Sequence, residues 1–277
     1  QNVDLTALAR YTPAATQTFE AGFARKTRSP NLYHRYAWST QPMATLMNNF
    51  VGDGNGYVGN LNLKPEVAHT LSASGDWHDA EQKQWGIKTT AYVTVVQDFI
   101  DAQRCNGGQC GGAANLSVST GFVNLQYVNQ SARLYGLDVS GNLLLNAGGD
   151  WGSLKGTGVL SYVHGSNTTT GDGLYNIMPL NAKLALEHRA AGWTSTLEAQ
   201  LVAAKTRLSQ VRNEVPTAGY GLLNLRTSYE YKQLRLDLGV ENLLNRFYAM
   251  PLGGAYLGQG ADMTSLGIPW GVVVPGP

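Results

Sequence analysis

The side chains able to hold a soft metal are confined to a few stretches of the chain. Met43 and Met47 stand four positions apart in QPMATLMNNFVGDGNGY, a segment dominated by turn formers, with His34 a short way upstream. Met178, Met250 and Met263, and the two cysteines Cys105 and Cys110, likewise fall in or beside segments that break the regular patterning. Thioethers and thiols are soft donors that suit Cu(I). Met43, Met47 and His34 are therefore the candidate metal contacts. The other reading of the same residues is packing, since flexible Met side chains fill irregular gaps between loops. Two thioethers alone make a weak site, and an exposed loop histidine usually binds nothing.

Other chemistry is sparse. The sequence contains no G-x-S-x-G, no H-E-x-x-H, no P-loop and no carboxylate pair in a recognisable frame, so no catalytic residue and no required cofactor are assigned, and an enzyme is not expected. Asp53-Gly54-Asn55-Gly56 begins like a calcium loop, but Lys64 stands where the closing acid is needed, so the segment reads as turns. A formal charge of +1 with scattered Lys and Arg gives no surface for nucleic acid.

The elements that must position these residues are strands. With 33 glycines, 14 tyrosines and 43% hydrophobic residues against 14% charged, the composition suits an ordered β protein. In LRLDLGVEN, Leu234, Leu236, Leu238 and Val240 share one face while Arg235, Asp237 and Glu241 share the other. Similar alternation predicts ten strands, at 2–11, 17–28, 67–77, 85–103, 122–146, 151–164, 182–190, 193–205, 219–231 and 234–249. Their connections alternate short and long, which in a meander puts every short turn at one end and every long loop at the other. Trp77, Trp85, Trp151, Trp193, Tyr229 and Tyr231 flank the short turns, where an aromatic girdle would lie. No apolar run reaches the ~18 residues of a spanning helix, so a membrane could be crossed only by a closed barrel. The expected fold is all-β, a transmembrane antiparallel up-and-down β-barrel. Arg25, Lys26 and Arg28 at the top of one strand, and Asp98, Asp101 and Arg104 at the top of another, are expected to face its watery interior.

Four segments carry a resemblance: FARKTRSPNLYHRY at 23–36, NLNLKPEVAHTLSAS at 60–74, YVNQSARLYGLDVSGNLLL at 127–145 and LRLDLGVENLLNRFY at 234–248. In this order and spacing they resemble the C-terminal half of TonB-dependent outer-membrane receptors, and in detail the copper receptors of that superfamily. The resemblance implies about ten strands of a plugged barrel of about 22, with residues 1–277 one partial barrel domain from which the plug and the final strand are absent. It implies energised import of copper as cargo, driven by the TonB complex through a missing N-terminal region. It also implies a monomer in the outer membrane of a Gram-negative bacterium, crossing it many times in contact with lipid and lipopolysaccharide. The principal metal site of such receptors belongs to the plug and an earlier loop, so Met43, Met47 and His34 would be auxiliary. In an oxidising compartment Cys105 and Cys110 are expected to form a disulfide, with copper or zinc binding as the other use. A ferric siderophore or cobalamin as cargo, a passive porin and a soluble β module are the alternatives.

Overall fold

A computed structural model describes residues 2–37, 51–53, 55–106, 110 and 123–253. In chain order its elements are β1 (Leu5–Ala14), β2 (Gln17–Arg28), α1 (Leu32–Tyr36), β3 (Gly56–Val58), β4 (Glu66–His78), β5 (Trp85–Arg104) and β6 (Asn124–Ala147). They continue with β7 (Ser153–Asn167), β8 (Asn181–Ala190), β9 (Trp193–Val202), β10 (Tyr220–Tyr231) and β11 (Leu234–Val240). Apart from β3, every strand pairs antiparallel with its neighbours in sequence, in the order β1-β2-β4-β5-β6-β7-β8-β9-β10-β11. The ten alternating stretches form this meander.

Register decides which face is which. Lys88 lies opposite Ser140 and Thr90 opposite Asp138, which puts Ile87, Val93 and Val95 of β5 on the other face with Leu137 and Leu143 of β6. That second face runs on through Leu184 and Leu186, Leu197 and Leu201, Leu225, and Leu236 and Leu238. These leucines remain 38% to 58% exposed. At about 25 cal/mol per Å² of apolar surface, so broad an open face is unfavourable against water and suits hydrocarbon. At the short-turn end it is edged by aromatic pairs: Trp193 and Tyr229 with ring centres 4.6 Å apart, and Phe19 edge-on to Trp77 at 5.6 Å. Trp77 lies over Gly75, where a Cβ would stand 2.2 Å from the indole.

Two strands are tall. β5 has 20 residues and β6 has 24, against the ~9–11 that a tilted strand needs to cross a bilayer. Their upper parts form a wall rising toward the long connections. β11, by contrast, ends at Val240 rather than running on to 249. Asn242 and Asn245 adopt left-handed backbone conformations, with φ of 51° and 49°, which asparagine tolerates better than most residues. The Asn242 side chain accepts from the Arg246 N–H at 2.8 Å and donates to the Arg246 carbonyl at 2.9 Å, closing a turn. Two elements lacked a sequence expectation. α1 is one helical turn capped by Asn31, and β3 is three residues paired parallel with the start of β6, from Gly56↔Asn124 to Val58↔Gln126.

Candidate functional site at the long-loop end

The described parts of the connection between β2 and β4 do not stand free above the sheet. They pack against the tall wall, and β3 takes the edge of β6 that β7, whose pairing stops at Ala132↔Asn167, leaves open. Gly59 allows the close passage, since a Cβ there would lie 2.4 Å from the Arg35 carbonyl oxygen. Where β4 gives out, beyond Val67↔Gln97, β5 slips register around Asp98, whose φ is 53°. The buried Glu66 carboxylate then takes the place of a strand, accepting from the Ile100 N–H at 2.7 Å and from Arg28 Nη2 at 2.7 Å.

Arg212 is the centre of the assembly. It comes from the connection after β9, is buried, and gives Nη2 to Asp101 Oδ1 at 2.8 Å, while its Nη1 lies 3.6 Å from Asp53 Oδ2. Nη1 also donates to the Tyr57 hydroxyl, which in turn donates to Asp53. The guanidinium sits 5.6 Å from the ring centre of Tyr57 and 5.4 Å from that of Tyr175. Burial works against its charge, but Tyr57, Asp101 and Asp53 together more than offset this and raise its proton affinity. Burial likewise pushes the Tyr57 hydroxyl well above the ordinary phenol range.

Polar neighbours complete the assembly. Asp101 Oδ2 accepts from Asn167 Nδ2 at 2.9 Å, and Asn55 Nδ2 donates to the Arg212 carbonyl at 2.8 Å. Arg104 donates to the carbonyls of Val211 at 3.1 Å and Gln210 at 2.8 Å. Asp172, after β7, accepts from the N–H groups of Gln210 and Val211, both at 2.9 Å. A second buried pair, Lys205 with Glu214 at 2.5 Å, reaches the segment after β11 through Lys205 Nζ to the Pro251 carbonyl at 3.0 Å. Four chain segments are thus tied to one another, and the buried ion pair of Arg212 with Asp101 of β5 fastens them to the wall. The arrangement is a pin: its carboxylates are occupied by donors, and an arginine cannot act as a base at ordinary pH.

The sequence-derived candidates are distributed unevenly. Met43 and Met47 lie outside the described residues, as does Met263. His34 is the third residue of α1, where its Nδ1 accepts from the Asn31 N–H at 3.3 Å and its ring packs 4.8 Å from that of Tyr127. Burial lowers its proton affinity. With Nδ1 accepting, the neutral ring carries its proton on Nε2, so a metal at Nδ1 would have to displace the Asn31 N–H. Met178 lines a cavity of about 230 Å³ with His164 and Arg207, a cationic neighbour that opposes a metal ion there. Cys105 and Cys110 are joined by a disulfide beside the top of β5, and the Cys105 N–H donates to the Asn124 carbonyl at 2.9 Å. Among the described residues no group of three or more His, Cys, Asp and Glu side chains is placed to hold a metal.

The polar residues expected in the interior are divided. Arg28 and Asp101 point inward into the networks above, whereas Arg25 shares the outward face with Phe23 and His69, and donates to the Val3 carbonyl. Arg212 and Tyr57 had no signal in the sequence. Asp53 did, as a turn former, but its counter-charge lies far along the chain.

A family model described as TonB dependent receptor-like, beta-barrel, matches residues 5–243. Among curated proteins, the heme/hemopexin utilization protein C of Haemophilus influenzae is 26% identical over 249 residues, covering 83% of this chain and 33% of that protein. Among solved structures, the copper transporter OprC superposes on 98% of this chain and 37% of its own with a TM-score of 0.75 at 21% identity. The siderophore receptor PirA from Pseudomonas aeruginosa superposes on 88% of this chain and 39% of its own, with a TM-score of 0.57 at 21% identity. The chain spans about a third of the length of the relatives it matches.

Proposed function

The chain belongs to the TonB-dependent receptor-like β-barrel family, and from that premise we propose that it serves an outer-membrane receptor that imports copper with energy delivered through TonB. The observation that carries the choice of cargo is the placement of sulfur. All five methionines lie outside the described strands, with Met178 and Met250 at the long-loop end, while Cys105 and Cys110, joined in a disulfide, offer no thiolate. In an outer-membrane barrel that end faces the exterior, where cargo is first met. Soft donors gathered there suit copper better than they suit an iron chelate held by hydrogen bonds. The extent of the fold likeness to a copper transporter agrees with this reading, although likeness at 21% identity speaks for the fold. Met43 and Met47 are the candidate collectors, in an auxiliary role above a principal site elsewhere in the receptor.

Heme is the second reading, favoured by the 26% identity to a heme/hemopexin utilization protein. Uptake separates the two. Cells that depend on the complete receptor should accumulate copper at limiting supply, lose that uptake when TonB is deleted, and lose several-fold of it with Met43→Leu and Met47→Leu together. Copper uptake unaffected by either change, with heme uptake abolished by TonB deletion, would replace the first reading by the second.

A further inference from the structure

The disulfide at the top of β5 is sealed. Cys105 and Cys110 are 1% and 4% exposed, at a sequence separation of five. A ring so short removes little freedom from the unfolded chain, so its effect is chiefly on position. Arg104, the last residue of β5, pairs with Leu125, and the next N–H, that of Cys105, donates to the Asn124 carbonyl. Beside them Val123 and Leu125 are buried with Ala102, and Val211 packs on that cluster from the connection after β9. Arg104 itself donates to the carbonyls of Gln210 and Val211, more than a hundred residues further along the chain. The top of β5 is thus covered by a segment that is made much later.

Thiol–disulfide exchange needs a thiolate to reach a sulfur, whether the bond is being made or broken. In the closed structure neither sulfur is within reach of one. An oxidant arriving after closure would meet no accessible thiol. We propose that Cys105 and Cys110 are oxidised by a dithiol–disulfide carrier of the periplasm before the connection after β9 closes over the top of β5, and that closure then seals the bond against reductants. In that exchange one thiolate attacks the carrier's disulfide, and the second displaces the carrier from the mixed disulfide. One S–S bond forms in the receptor and one breaks in the carrier, which leaves as a dithiol with the two electrons and the two thiol protons. The outer-membrane reading puts the chain in the periplasm before insertion, and that compartment is oxidising. The proposal rests on that reading and is independent of the cargo.

The test uses the complete receptor folded in detergent, with free thiols counted by mass after alkylation under denaturing conditions. Dithiothreitol should reduce the bond at least about a hundredfold faster in the unfolded receptor than in the folded one, where reduction waits for the end to open. A receptor reduced while unfolded and refolded in reductant should keep both thiols when oxidised glutathione is added after folding, and form the bond when it is added before. Arg212→Ala, which frees 208–214, should speed reduction of the folded receptor several-fold. Arg104→Gln, which removes the hydrogen bonds from β5 to that segment, carries the same expectation if the first variant fails to fold. If the reduced chain does not refold, the reduction rates decide by themselves. In cells lacking the periplasmic carrier, receptor in the outer membrane should hold two free thiols. A normal disulfide there would overturn the proposal, as would similar reduction rates for folded and unfolded receptor, or full oxidation of the folded dithiol form by glutathione. So would reduction that neither variant accelerates. Fractionation with the outer membrane is read separately, so failure of the sealing and failure of the reading beneath it are distinguishable.

Discussion

At the scale of single residues the long-loop end depends on Arg212. One guanidinium holds Asp53 and Asp101, and removing it leaves two buried carboxylates without a counter-charge. Breaking a buried ion pair from one side costs about 3–5 kcal/mol. Arg212→Ala should therefore open the segments 51–58 and 208–214, seen as faster amide hydrogen exchange there, while exchange in β8 to β10 stays slow. Unchanged protection would mean the pin is ornamental. At the other end Asp79 organises the turn between β4 and β5, accepting from the N–H groups of Trp85 and Gln84 at 2.8 Å, Lys83 at 3.1 Å and Glu81 at 3.2 Å. These bonds, that from Trp85 foremost, lower its carboxyl to about 2 from an ordinary 3.8. A depressed carboxylate contributes its stabilisation in full above its unfolded value and loses it as pH falls through the folded one. Exchange of the turn amides should accelerate between pH 4 and about 2, and Asp79→Asn should remove that dependence. Of these two devices, neither pairing was legible. Asp79 reads as a turn former, and Arg212 meets its partners only after more than a hundred residues of intervening chain have folded.

At the scale of elements, alternation controls everything. Leu197 and Gln200 lie three residues apart on β9, on opposite faces, Leu197 among the leucines that open outward and Gln200 inside opposite Lys183. Arginine on the lipid face of a barrel costs about 2–4 kcal/mol near the bilayer middle, whereas interior changes are tolerated. Leu197→Arg should therefore lower the refolding stability of the complete receptor in lipid vesicles by that amount, and Gln200→Arg should change it little. Similar effects at both positions would contradict the facing assigned here. The strands were legible because period-two patterning and short turns are local properties. β11 was read too long for a comparably local reason: ENLLNRFY keeps a strand-like mix of apolar and polar residues, and only the left-handed conformations of Asn242 and Asn245 end the strand. β3 was not legible, since three residues carry no periodicity and its partner is β6, about seventy residues on. The slip in β5 that lets Glu66 replace a strand is of the same kind.

At the scale of the whole molecule, a sheet with one apolar and one polar face, girdled at its short-turn end and fastened at its long-loop end, is a wall of the TonB-dependent receptor-like β-barrel. In the proposed function the wall positions the loops that meet the cargo. The central claim is that this cargo is copper, and direct binding tests it. The complete receptor should be titrated with Cu(I), Cu(II), heme and a ferric catecholate, each followed by calorimetry. Saturable, stoichiometric binding of copper with weak or no binding of the other two classes is the predicted result. Tight heme or ferric chelate binding with no saturable copper site would contradict it.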